Sequence, residues 1–135
     1  MKRRRRARSW TITWLAAALF FATGWAPGLA VAHAVLVRST PPGRATLAEA
    51  PARVQLWFNE RLEPAFSTLE VRSATGEQVD QKDARVAPED SKQLSATLAP
   101  LAPGTYTVRY RVLSVDGHVV DSSFTFTVRP KAAAK

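Results

Sequence analysis

Cysteine is absent from the 135-residue chain, and the single methionine is Met1. These two absences exclude a thiolate metal site, a catalytic thiol, a disulfide and a cysteine-borne lipid anchor. They also exclude an internal thioether ligand, so a soft ion such as Cu(I) lacks its preferred donors. Histidine is scarce as well: the chain has two, His33 and His118. Beyond residue 32 no stretch has a helical hydrophobic period, and there is no internal repeat and no low-complexity domain. A domain of about 100 residues can bury enough core to stand without disulfides.

Negative charge is missing from one end. Residues 1–32 hold six basic residues, Lys2, Arg3, Arg4, Arg5, Arg6 and Arg8, and no acidic one. An apolar run from Trp10 to Trp25 follows, then Pro27-Gly28 and Ala30-Val31-Ala32. This is the three-part layout of a secretory signal, with small residues at −3 and −1 of a cut before His33. The rival reading is a membrane anchor; the run is short for that, and Thr11, Thr13 and Thr23 dilute it. The residues after the arginines do not follow the twin-arginine export pattern. Cleavage changes the net charge from +8, with 19 basic against 11 acidic residues, to +2, with 13 against 11. The basic character is then an export feature, and no basic, aromatic-studded stripe argues for nucleic acid. The reading divides the chain into a signal peptide 1–32, a domain 33–130 and a mobile tail 131–135. It places the mature protein in the periplasm or outside the cell, not spanning the membrane.

The remainder alternates in short runs separated by proline and glycine. Strands are predicted at Val35–Arg38, Arg53–Phe58, Phe66–Arg72 and Gln93–Leu98. Tyr106, Val108, Tyr110 and Val112 share one face of a further strand, and Phe124, Phe126 and Val128 one face of the last. Residues 45–52 read as a loose connection and residues 59–64 as a loop. Residues 80–92 read as a solvated loop with a short edge strand near Ala84–Val86. About seven short strands of this kind predict an all-β sandwich or barrel. Trp57 lies on the face opposite Leu56, either on the surface or under a loop.

Ser114-Val115-Asp116-Gly117-His118 separates the two strongest strands. Asp-Gly between alternating runs is a type I′ hairpin signal, and on that reading His118 merely begins a strand. His33 makes a second reading available. If the cut falls after Ala32, His33 offers both an α-amine and a ring nitrogen, which can chelate one ion. His118 adds a second ring nitrogen and Asp116 an oxygen. Three nitrogens and one oxygen in a plane suit Cu(II), with zinc as the competitor in a tetrahedron. A cut after Ala30 is the alternative; it would leave Val31-Ala32-His33 as a local copper site needing neither Asp116 nor His118.

His33-Ala34-Val35-Leu36, Ser39-Thr40-Pro41-Pro42-Gly43, Phe58-Asn59-Glu60, Pro103-Gly104-Thr105-Tyr106 and Arg111 through His118 occur in an order that resembles the CopC family of exported copper-binding proteins. The resemblance implies an immunoglobulin-like β-sandwich or Greek-key barrel binding one Cu(II) through His33, Asp116 and His118. It places Glu60 where the family has an acidic residue near the copper. Some members add a methionine-rich Cu(I) site with a further histidine, and this chain has neither group to spare for one.

The leading expectation is therefore a monomeric, non-enzymatic Cu(II)-binding protein for copper homeostasis or resistance. Its expected partners are the copper ion and a membrane copper transporter, with no nucleic acid. Two alternatives stay open: an oxidative copper enzyme with a histidine-brace-like site, and an immunoglobulin-like envelope module in which the histidines are incidental.

Overall fold

The structure, a computed structural model, describes residues 33–132. The expected signal peptide lies outside the described residues, as do the last three residues of the tail; Lys131 and Ala132 are exposed. Eight strands make up the fold: β1 Leu36–Thr40, β2 Thr46–Leu47, β3 Arg53–Phe58, β4 Thr68–Ser73, β5 Arg85–Ala87, β6 Asp90–Thr97, β7 Gly104–Leu113 and β8 Val119–Val128. They form two four-stranded sheets, ordered β1-β3-β6-β5 and β2-β8-β7-β4. Every connection except β5 to β6 and β7 to β8 passes from one sheet to the other, so neighbours within a sheet are often distant in sequence, as in a Greek key. The expected all-β sandwich is the fold observed. Among the described residues no helix is long and apolar enough to cross a membrane.

Period-two alternation produces this arrangement directly. β3 buries Val54, Leu56 and Phe58, and β6 buries Leu94 and Ala96 beside them. The opposing sheet contributes Leu69 and Val71 from β4, Tyr106, Val108, Tyr110 and Val112 from β7, and Phe126 and Val128 from β8. Each of the Val, Leu and Phe side chains contributes roughly 1.5–3 kcal/mol on leaving water. Phe58 and Tyr110 meet edge-on across the two sheets, with ring centroids 5.5 Å apart, and Tyr106 stacks on Phe126 at 5.5 Å. The Tyr106 hydroxyl donates to the Ala102 carbonyl at 2.5 Å, so its polar end is satisfied inside the core.

The structure differs from the sequence reading at several places. There are eight strands, because residues 46–47 pair in parallel with Thr127 and Val128. Two residues carry no alternation; what places them is backbone, with Arg44 N–H donating to the Thr125 carbonyl at 2.6 Å and Thr127 N–H to that of Ala45 at 2.8 Å. β4 begins at Thr68, since Pro64–Phe66 forms a single 3-10 turn. Segment 80–92 is less solvated than expected. Asp80 is buried and accepts from Val71 N–H at 2.8 Å, Gln78 Nε2 at 3.1 Å and Lys82 N–H at 3.1 Å. β6 already starts at Asp90 and β5 is Arg85–Ala87, at the sheet edge. Trp57 is half-buried on the outer face, under the Arg38 guanidinium, 3.8 Å from its ring centroid.

Candidate metal centre

The β7–β8 connection carries the Asp-x-His pair. It is a three-residue loop, Val115-Asp116-Gly117, and not a two-residue type I′ turn. Ser114 N–H donates to the His118 carbonyl at 2.9 Å and Gly117 N–H to the Ser114 carbonyl at 2.9 Å. Only Gly117 takes positive φ, at 93°, whereas type I′ needs it at both central residues. The left-handed conformation at residue 117 follows a tight turn whose second central residue is Asp116. This geometry turns Asp116 back toward His118.

Ser114 fixes the carboxylate. It is 1 % exposed, and its hydroxyl donates to Asp116 Oδ1. His118 N–H reaches the same oxygen at 3.3 Å, and His118 Nδ1 lies 3.2 Å from it. The Ser114 hydrogen bond, aided by the neighbouring His118, holds the Asp116 carboxyl below the usual carboxylate range. Nδ1 is fully covered yet makes no aligned hydrogen bond. A covered nitrogen lone pair facing a carboxylate oxygen is unfavourable unless a proton or a metal ion lies between them. Two donors bound to one ion at about 2.0–2.1 Å, roughly 90–110° apart, stand about 2.9–3.4 Å from each other. The observed 3.2 Å falls within that span.

His33 arrives from the other sheet, just ahead of β1. Ala34 is 2 % exposed and belongs to the core cluster, which pins the chain one residue after His33. The His33 and His118 rings are 4.8 Å apart and perpendicular. The fold thus brings residues 33 and 118 together, although 85 positions separate them. It forms two pairs that share His118, His33–His118 and Asp116–His118. Among the described residues no three side chains already converge as a closed metal cluster. Glu60 is half-buried in the β3–β4 connection. That connection contributes two features the sequence did not disclose: Asn59 bonds the backbone of Val35, and Arg61 bonds that of Val115. Asn59 carries no alternation or charge signal; only its place directly after β3 hinted at such a role.

A CopC domain family model matches residues 36–129. The chain belongs to the CopC family. Its relatives include "Protein YobA" of Escherichia coli strain K12, 38% identical over 99 residues, which span 73% of this chain and 80% of that protein. "Copper resistance protein C" of Xanthomonas campestris pv. juglandis is 36% identical over 114 residues, 80% of this chain and 89% of that one. Among solved structures, the crystal structure of CopC from Methylosinus trichosporium OB3b superposes with a TM-score of 0.69 at 34% identity, over 76% of this chain and all of the other. The family model begins at β1, so His33 lies just ahead of it, while Asp116 and His118 fall inside.

Proposed function

We propose that this CopC protein, after removal of residues 1–32, holds one Cu(II) in the bacterial periplasm or outside the cell and sequesters or delivers it. The His33 amine and ring, the His118 ring and the Asp116 carboxylate are the donors. One observation carries this reading: His33 and His118 stand ring to ring while the covered Nδ1 of His118 faces Asp116 with no aligned hydrogen bond. The copper-resistance relatives support copper as the cargo. The absence of cysteine and of any methionine after Met1 supports Cu(II) over Cu(I). Delivery to a membrane copper transporter is the step that would empty the site. Binding fits better than turnover, because a carboxylate beside His118 occupies coordination space that an oxygen-activating copper needs open.

The test is an EPR spectrum of the protein beginning at His33 with one equivalent of Cu(II). The expected result is one tetragonal species with coupling to three nitrogens, saturating at one copper per chain. Several species, or saturation at a different ratio, would refute the assignment.

A further inference from the structure

A chain end is the least ordered part of most domains. A ligand carried there must be immobilised when metal binds, and that ordering opposes affinity. The site proposed above depends on such an end, and the structure holds it by an identifiable device. Segment 59–63 runs between the two ligand-bearing segments and bonds to both. Asn59 Oδ1 accepts the Val35 N–H at 2.6 Å, and Asn59 N–H donates to the Val35 carbonyl at 3.1 Å. The main-chain pairing of β1 with β3 ends at Leu36 and Phe58. The Asn59 amide oxygen supplies the next acceptor in place of a ladder carbonyl, so the backbone two residues from His33 is held at both its donor and its acceptor.

The other side of the segment is tied just as directly. The Arg61 carbonyl accepts from Val115 N–H at 3.0 Å, Leu62 bridges to Ser114, and Glu63 N–H donates to the Leu113 carbonyl at 2.8 Å. The segment is itself anchored to β6: Lys92 Nζ donates to the Asn59 carbonyl at 2.9 Å and Leu62 N–H to that of Ser91 at 2.9 Å.

We propose that Asn59 is a positioning residue for the copper site, resting on the copper reading above: its side chain fixes the N-terminal segment so that His33 stands over His118 before metal arrives. Asn59 touches no metal in this scheme and acts through the Val35 backbone. Only the side-chain bond is removable by substitution, which makes the idea separable from the fold.

The experiment compares the protein beginning at His33 with Asn59→Ala and Asn59→Asp, each titrated with Cu(II) against a chromophoric chelator. Losing a group that orients a ligand typically weakens metal binding by about 10–100-fold, and an indirect clamp belongs at about 10-fold. Asn59→Ala should show that loss together with weaker nitrogen coupling in its EPR spectrum. Asn59→Asp keeps the acceptor oxygen and should restore both. In a His33→Ala background, which keeps the N-terminal amine but loses the ring, the same Asn59→Ala change should cost clearly less, because one of the two donors being positioned is gone. Parent-like affinity and spectrum in Asn59→Ala would overturn the proposal, as would an equal loss in the His33→Ala background. Amide hydrogen exchange of the copper-free proteins keeps the two claims apart. Faster exchange at Val35 in Asn59→Ala supports the clamp even if the parent binds no Cu(II), an outcome that would sink the copper reading alone. Unchanged exchange at Val35 sinks the clamp whatever copper does.

Discussion

Replacing His118 with alanine should separate copper binding from folding. A ligand that binds only the folded state stabilises it by about 2.7 kcal/mol at 100 times its dissociation constant. For a domain of about 100 residues each kcal/mol moves the melting temperature by roughly 4–8 °C. Excess Cu(II) should therefore raise the parent's melting temperature by about 10–20 °C. Some Cu(II) binding to the unfolded chain through the His33 amine would bring the shift toward the lower figure. The copper-free His118→Ala protein should melt close to the parent. The only covered polar atom lost, Nδ1, makes no aligned hydrogen bond, and the side chain is 35% exposed. What remains is the perpendicular contact with His33, an exposed residue, worth about 0.5 kcal/mol, at the low end for such pairs. Differential scanning fluorimetry with and without Cu(II) reads both quantities. A full copper shift in His118→Ala would refute the ligand assignment. A drop of more than about 10 °C without copper would refute the argument that Nδ1 contributes nothing to folding.

Copper should leave as pH falls through and below about 6.5, where free imidazole titrates; Asp116, held low by Ser114, is still a carboxylate there, so binding that stays flat to about pH 4 would contradict the nitrogen ligands. Ascorbate should loosen the metal, and a Cu(I) chelator should then strip it, because the chain after Met1 offers no sulfur donor. Asp83 is held below the usual carboxylate range first by the Thr97 hydroxyl and then by the Thr97 N–H. A lowered folded value contributes stability that is present above the unfolded value of about 4 and is lost as pH falls below it; Asp83→Asn should therefore lower the melting temperature at pH 7 and narrow the gap to the parent at pH 3. Intact mass should show a secreted chain beginning at His33, and a form keeping one extra residue before it should lose most of its Cu(II) affinity; undiminished binding would remove the amine from the ligand set.

The fold was legible because its strands bury one face. Val54, Leu56 and Phe58, or Tyr106, Val108, Tyr110 and Val112, alternate cleanly, and every one of these seven is in the core. What the alternation could not reveal is held by backbone or by single polar groups. β2 is two residues fixed by its neighbours' amides, and Asp80 looks like any charged loop residue until it gathers two N–H groups and an amide. The Asp-Gly pair correctly announced a hairpin, but its loop length depended on the Ser114–His118 pairing, which no local propensity specifies. His33, Asp116 and His118 were readable as chemistry, but their proximity was implied only by the family resemblance and not by periodicity or spacing. It depends on β1 and the β7–β8 loop ending at the same pole, which only the strand order decides.

That separation in sequence has a consequence for how the protein would be switched on. A copper site contained in one loop could fill on any partly folded chain, including one still carrying residues 1–32. A site needing both His33 and His118 requires the two sheets to be assembled, because β1 reaches the pole only through β3, while His118 belongs to the β7–β8 hairpin. It also requires the peptide bond before His33 to be cut, since a peptide nitrogen is no amine. Full metal affinity would then appear only in a chain that is both folded and processed. The same two requirements that complete the site would keep the uncut chain from taking copper through it.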